Sequence, residues 1–282
     1  MRKMLFLLGL FVCLNVCAAQ SADLDSIFAR DTFRTSNSTL YLRYAEINAY
    51  NPSSAALIVY LHGGSSKGTD NKIQLQEAAV DKIYDYLLSQ SERVIFVVPQ
   101  CSSTGWVGSP LTQLKQLIAV YAQRHCCDST RIYIVGGSMG GTGTWKMLSN
   151  YPNLFAAAIP VAGNPSGCNV ANLAHTPIWT VMGTNDVIMS TDTVVAYKQQ
   201  IEALGGHVIM DVVEGWTHQN TCELSYTNER LTWLLSQVKS VEVQTSMLEV
   251  CSDTRVPKIL RDGRIIIFQN GHAYTLFGTT LQ

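Results

Sequence analysis

Five short runs of almost unbroken apolar residues recur along this chain: "ALIVYL", "VIFVV", "IYIV", "FAAAIPV" and "IWTVM". Runs this short read as strands, and strands apolar at every position are buried on both faces, as in a parallel sheet. The segments between them have helical spacing: "IQLQEAAVDKIYDYLLSQ", "LTQLKQLIAVYAQRH", "GTGTWKMLSNYP" and "TDTVVAYKQQIEALGG". Strand and helix therefore alternate, which requires crossover connections and helices on both faces of one mostly parallel sheet. "TLYLRYAEI" alternates apolar and polar residues and predicts an antiparallel strand before this series. "HVIMDVVEG" and "YTNERLTWLLSQVK" extend it by a strand and a helix.

The ends of the chain differ from this centre. Residues 1–19 begin with Arg2 and Lys3, continue through an apolar run to Val16 and end in Cys17-Ala18-Ala19. That is the three-part pattern of a secretory signal, and the run is short of the roughly 20 residues of a membrane span. The expectation is a secreted or periplasmic protein, with a lipoprotein at Cys17 as the lesser alternative because Val16 is bulky. Residues 20–240 form the α/β domain. Residues 241–282 carry two hairpin signals, Asp262-Gly263 and Asn270-Gly271, and predict a small C-terminal β meander. It resembles the short C-terminal tails of some exported Gram-negative proteins, which would give it a sorting or anchoring role; an edge hairpin packed on the domain is the alternative.

Twenty basic and 21 acidic side chains leave a formal charge of -1 without long charged runs, which argues against nucleic acid and anionic membrane as partners. Six of the eight cysteines lie beyond the signal, an even number that permits disulfides in an exported chain. Cys168 and Cys222 are one candidate pair. The cysteines do not alternate with histidines at zinc spacing.

The run "RIYIVGGSMGGTGTW" sets one serine among glycines where a strand ends and a helix begins. Gly136-Gly137-Ser138-Met139-Gly140 fits the G-x-S-x-G nucleophile elbow, a turn too tight for bulky neighbours that presents its hydroxyl at the carboxyl edge of the sheet. A serine needs a base to take its proton and a carboxylate to hold that base. On such a sheet the order is Ser, acid, His, with each group following a strand. His62, His125 and His175 come too early, His207 opens a strand and His272 lies in the tail. His218, after "HVIMDVV", remains as base. Asp186, ending "PIWTVMGTND", is the candidate acid; Asp192 reads better as a helix-start residue, and Glu214 is a backup. Oxyanion donors are expected from the Met139 N–H and the turn "HGGSSKGTDN", with Gly64 first and Ser65 second. His62 should shape that turn, and Asp70 should cap the helix after it.

With "YLHGGSSKGTDN", "VVPQC", "YPNLFAAAIPVAG" and "GWTHQNTC" added to these motifs, the chain resembles the α/β-hydrolase superfamily. Within it, the chain is similar to a secreted esterase and peptidase group related to feruloyl and acetyl xylan esterases and to polyhydroxybutyrate depolymerase-like enzymes. The resemblance covers about residues 55 to 240 and implies Ser138 as nucleophile, Asp186 as acid, His218 as base, and Met139 with Gly64 as oxyanion hole. Two departures, Ser65-Ser66-Lys67-Gly68 in place of a charged turn and Cys222 after the base, bear on substrate. Only a short loop separates "IPVAG" from "PIWTV", so no large lid is expected. An open cleft walled by Trp106 and Trp216 suits a small-molecule or polysaccharide-linked ester. The expected activity is carboxylic ester hydrolysis through an acyl-enzyme, which implies no metal and no cofactor. A peptidase using the same three residues, and a non-catalytic binding protein on the same fold, are the alternatives.

Overall fold

The computed structural model describes residues 23–36, 38–102 and 105–240, and the strands Lys258–Arg261, Arg264–Gln269, His272–Thr275 and Thr280–Leu281. The expected signal segment, Cys251 and both hairpin dipeptides lie outside these residues. The chain divides into two compact units, Met1–Ser240 and Val241–Gln282.

In the first unit eight strands form one sheet: β1 (Ala29–Arg34), β2 (Thr39–Ile47), β3 (Ala55–Leu61), β4 (Val94–Gln100), β5 (Cys127–Gly137), β6 (Ala157–Val161), β7 (Ile178–Asn185) and β8 (Val208–Thr217). Their order is β1-β2-β4-β3-β5-β6-β7-β8. The β1–β2 and β2–β4 pairings are antiparallel, and every pairing from β4 through β8 is parallel. β3 shows why its sequence is apolar throughout. Ala56, Ile58 and Tyr60 enter one core layer, while Ala55, Leu57, Val59 and Leu61 enter the other. Each fully buried aliphatic side chain of this kind contributes roughly 1.5–3 kcal/mol.

The first layer is covered by α2 (Ala78–Leu88) and α8 (Asn228–Ser236), through Val80, Ile83, Leu87, Leu231 and Leu234. The second is covered by α3 (Ser109–Arg124), α4 (Met139–Asn150) and α6 (Thr191–Ala203), through Leu114, Ile118, Trp145, Leu148 and Ile201. The β6–β7 connection holds only the four-residue α5 (Val170–Leu173), so no lid domain is inserted there. This is the mostly parallel sheet with helices on both faces that the alternating pattern predicts, and the arrangement that the resemblance to the α/β-hydrolase superfamily implies.

Some elements are absent from the sequence reading or depart from it. A four-residue helix, α1 (Leu24–Ile27), leads into β1, which has no apolar alternation. β1 is held at the sheet edge by polar contacts: Asp31 accepts from the Tyr121 hydroxyl and from Arg124, and the buried Arg43 donates to the carbonyls of Phe28 and Asn71. The segment expected as one helix over residues 73–90 is broken at Glu77 into a 3-10 turn, Ile73–Gln76, and α2. Cys126 ends α3 in the left-handed region (φ 52°), and Cys127 opens β5, which gives the vicinal cysteines different local tasks.

In the second unit, β9 (Lys258–Arg261), β10 (Arg264–Gln269), β11 (His272–Thr275) and β12 (Thr280–Leu281) form an antiparallel meander. Pairing of Arg261 with Arg264 and of Gln269 with His272 leaves two residues for each of the first two connections. Among the described residues no helix is long and apolar enough to cross a membrane.

Candidate active site

β5 hands over to α4 at Ser138, whose φ of 58° and ψ of -118° lie where few non-glycine residues go. Such a conformation costs of order 1–3 kcal/mol and persists only when its surroundings impose it. The flanking glycines show what imposes it here. A Cβ on Gly140 would stand 1.8 Å from the Leu61 carbonyl oxygen, and one on Gly136 would stand 2.6 Å from the Gly140 oxygen. The start of α4 thus lies against the end of β3 with no room for a methyl group. The Ser138 N–H is held by the Val161 carbonyl at 3.0 Å, and its carbonyl accepts the Thr142 N–H at 2.9 Å.

Asp186 and His218 become neighbours through strand register. β7 and β8 are parallel, and Asn185 pairs with Thr217, so the next residue of each strand leaves the same edge. Cross-links hold the two exits together: Asn185 Nδ2 donates to the Gly215 carbonyl, and the Gly215 N–H to Thr184 Oγ1. The Asp186 side chain is fully buried. Its Oδ1 accepts the N–H groups of Ile188 and Met189 at 2.8 and 2.9 Å, and its Oδ2 lies 2.8 Å from His218 Nδ1. His218 Nε2 lies 2.7 Å from Ser138 Oγ. A carboxylate only accepts, so Nδ1 carries the ring proton and Nε2 is left to accept from the Ser138 hydroxyl. His218 is also the first residue of a helix, α7 (His218–Leu224), opened by a capping box between Thr217 and Asn220, where the sequence suggested a loop. Of the alternative acids, Asp192 lies in the first turn of α6 and Glu214 is an exposed residue of β8.

The turn after β3 closes the site from the other side. His62 is wholly buried; its Nδ1–H donates to the Gly63 carbonyl at 2.7 Å and its Nε2 accepts the Cys101 N–H at 2.8 Å. Burial holds its pKa below the ordinary histidine value, in keeping with a neutral ring that has one donor and one acceptor matched. Gly64–Ser66 forms a 3-10 turn on the cleft, and a Cβ on Gly63 would come 3.7 Å from the Cβ of Ser138. Met139 opens α4, so its N–H has no acceptor within the helix. Asp70 accepts the N–H groups of Lys72 and Ile73 just ahead of the 3-10 turn Ile73–Gln76, whose N-cap position is Lys72 and carries no side-chain cap, so Asp70 shapes the entry to the turn and is not its cap.

Ser138 and His218 open onto a cleft of about 650 Å³ that is also lined by Gly64, Ile73, Ala78, Ile188, Glu77 and Glu223. Neither proposed tryptophan wall lines it. Trp106 is 1% exposed, edge-on to His62, and its Nε1 donates to the His62 carbonyl. It fills the layer beneath the turn and has no surface to offer a ligand. Trp216 is half-buried against the other core layer. The Cys168–Cys222 bridge is not formed, because the two belong to core layers on opposite faces of the sheet. Cys222 instead borders the cleft beside Gly137, with its thiol pushed up to about 12 by burial. Among the described residues no group of His, Cys, Asp and Glu could hold a metal ion. The sequence reading missed Glu77, Tyr60 and Ile188. Ile188, two residues beyond Asp186, was open to inference from position alone.

Residues 105–166, which contain the Ser138 turn, match the prolyl oligopeptidase family. The chain is 26% identical over 175 residues to poly(3-hydroxyalkanoate) depolymerase C of Paucimonas lemoignei, covering 56% of this chain and 40% of that protein. It is 31% identical over 156 residues to a bifunctional acetylxylan esterase/xylanase of Neocallimastix patriciarum, covering 51% of this chain and 22% of the other. Among solved structures it resembles a thermostable esterase, with TM-score 0.70 and 26% identity, over 76% of this chain and 64% of that one. The chain thus spans less than two thirds of the length of each of these relatives. By fold the chain is an α/β-hydrolase, and in sequence it resembles a poly(3-hydroxyalkanoate) depolymerase and an acetylxylan esterase/xylanase.

Proposed function

We propose that this chain is a serine hydrolase of carboxylic esters, with Ser138 as nucleophile, His218 as general base and acid, and Asp186 as the carboxylate that orients it. As a carbonyl approaches, His218 Nε2 takes the Ser138 proton while Oγ bonds to the carbonyl carbon. The N–H groups of Met139 and Gly64 receive the oxyanion. On collapse the C–O bond to the alcohol breaks, and the imidazolium returns its proton to the leaving oxygen. Water, deprotonated by the same nitrogen, then adds to the acyl-enzyme, and Ser138 recovers its proton as the acid departs. Asp186 stabilises the imidazolium without taking its proton.

The unbroken hydrogen-bonded chain from Asp186 through His218 to Ser138 is the observation that carries this reading. The character of the cleft supports a substrate class. Glu77 and Glu223 line it, and no Lys or Arg does among the described residues, so an uncharged acyl ester suits it better than an anionic one. Acyl groups on plant polysaccharides fit that description, as does the resemblance to an acetylxylan esterase. Export through residues 1–19 is part of the same proposal. The test is steady-state hydrolysis of acetyl, butyryl and feruloyl esters by the wild-type chain and by Ser138→Ala and His218→Ala. The proposal predicts activity in the first and loss in both variants; equal activity in all three would reject it.

The match to the prolyl oligopeptidase family supports a second reading, amide cleavage at the same serine. Parallel assays on aminoacyl amides decide between the two, since an amide nitrogen leaves only when His218 protonates it well.

A further inference from the structure

We infer that Glu77 is a positioning residue that holds the oxyanion-binding turn in place, an inference that rests on the reading of Ser138 as nucleophile. Glu77 stands where the segment before α2 breaks, with extended backbone (φ -75°, ψ 125°), at the residue that begins the helix. A polar side chain there ordinarily caps the helix. Glu77 makes no such bond, and its carboxylate reaches across to the turn after β3 instead.

Three donors converge on it. Oε1 accepts the Gly63 N–H at 2.8 Å and the Ser66 hydroxyl at 2.6 Å, and Oε2 accepts the Tyr60 hydroxyl at 2.5 Å. Gly63 and Ser66 flank Gly64 and Ser65, so one carboxylate ties both ends of the turn to the last part of β3. Tyr60 and Ser66 are themselves buried, at 1% and 3% exposure. Burial and the adjacent Glu77 charge push the Tyr60 phenol well above its ordinary pKa, so it remains a donor. The arrangement also assigns the backbone donors. The Gly63 N–H is consumed by Glu77, which leaves Gly64 as the first N–H of the turn free to face an oxyanion.

A negative charge beside a site where negative charge develops is unfavourable unless it is neutralised or compensated. Three directed donors supply part of that compensation. They also occupy both oxygens, which disfavours proton transfer to substrate or water as the role of Glu77. Its work is geometric: it fixes the turn before substrate arrives, so the donors need no reorganisation in the transition state.

The test compares the wild-type chain with Glu77→Gln, Tyr60→Phe and Ser66→Ala on one p-nitrophenyl acyl ester. Binding of a trifluoromethyl ketone, whose serine adduct carries an oxyanion, is measured in parallel. Glu77→Gln keeps the shape but removes the charge and replaces one of the two acceptor oxygens by an amide N–H₂, so the three donors no longer meet acceptors on both sides. The expected result is a fall in kcat of about 10- to 100-fold with KM within about twofold of wild type. The ketone's inhibition constant should rise by the factor that kcat/KM falls, and the pH profile of kcat should keep its shape. Tyr60→Phe and Ser66→Ala should shift the same two quantities in the same direction by smaller factors. Wild-type kcat and ketone affinity in folded Glu77→Gln would overturn the inference, as would a loss confined to KM or a displaced pH profile. Should Glu77→Gln fail to fold, Ser66→Ala decides, and unchanged kcat and ketone affinity there would overturn it too. Ser138→Ala separates this inference from its parent: activity surviving in that variant sinks the nucleophile itself, whereas loss there with normal Glu77→Gln sinks only the role of Glu77.

Discussion

Replacing Gly140 by alanine tests how closely the elbow is tied to the sheet. The added Cβ would lie 1.8 Å from the Leu61 oxygen, 2.5 Å from the Leu61 carbonyl carbon and 2.9 Å from the His62 oxygen, all backbone atoms that no side-chain rotation can move aside. Contacts under 3.0 Å do not persist, so the first turn of α4 must retreat from β3 by a little over 1 Å. That turn carries Ser138 and the Met139 N–H, while Gly64 stays with β3. The 2.7 Å contact between Ser138 Oγ and His218 Nε2 and the spacing of the oxyanion donors would both open. A misplacement of about 1 Å costs on the order of 100-fold in rate. Stability should suffer less: overpacking costs about 1–3 kcal/mol, offset by about 1 kcal/mol of helix propensity gained by alanine over glycine. The assays are kcat/KM on an acyl ester and urea unfolding of the same preparations. The expected outcome is a folded variant with kcat/KM down about 100-fold and a modest loss of unfolding free energy. A variant with unaltered kcat/KM and unaltered urea midpoint would refute the reasoning.

Three further outcomes follow from other contacts. Asp186→Asn should keep the acceptor for Ile188 and Met189 but set an N–H₂ against His218 Nδ1, selecting the wrong tautomer; kcat should fall on the order of 10⁴-fold with little change in melting temperature. Stability should decline in two steps on acidification. His62 is held below its ordinary pKa by burial, so its contribution is intact above the unfolded value near pH 6.5 and is lost as pH falls from there toward the folded value, by about 1.4 kcal/mol per pH unit at most. Asp31, where burial pushes the pKa up but the hydrogen-bond donors together outweigh it, and Asp70, held by the Gln100 side chain and nearby N–H groups, both lie below the ordinary carboxylate value, so their contribution is lost only below about pH 4; urea midpoints that stay flat from pH 7 to pH 5 would contradict the first step. Trp106→Ala should cost about 3–5 kcal/mol of stability and leave the ranking of acyl substrates unchanged, since the ring is buried beneath His62; unfolding curves and a three-ester panel check both halves.

What the sequence reveals depends on how local the cause is. β3 through β7 were legible because strands buried on both faces must be apolar at nearly every position, as Leu57 and Ile58 are on opposite sides of β3. β1 was not legible, because "ARDTFR" is held by long-range partners such as Tyr121 and Arg124 and has no period of its own. α7 was hidden for a similar reason: seven residues are too few to show a helical repeat, and the helix depends on its Thr217 cap. Chain order and strand ends were enough to bring Ser138, Asp186 and His218 to one edge of the sheet, since each follows a parallel strand. Side-chain direction was beyond that logic. Trp106 follows β4 toward the same edge yet turns inward, because Gly143 leaves space for it and the His62 carbonyl accepts its N–H. Glu77 was equally hidden, since its partners at residues 60, 63 and 66 meet it only once α2 folds onto β3.

The most direct measurement is the site of covalent capture by a fluorophosphonate, followed by intact mass and peptide mapping of the folded chain. Activation of one hydroxyl by His218 predicts a single adduct, on Ser138, that forms in wild type and is lost in Ser138→Ala and strongly slowed in His218→Ala. A folded wild-type chain that takes up no label, or labels at a residue other than Ser138, would contradict the account.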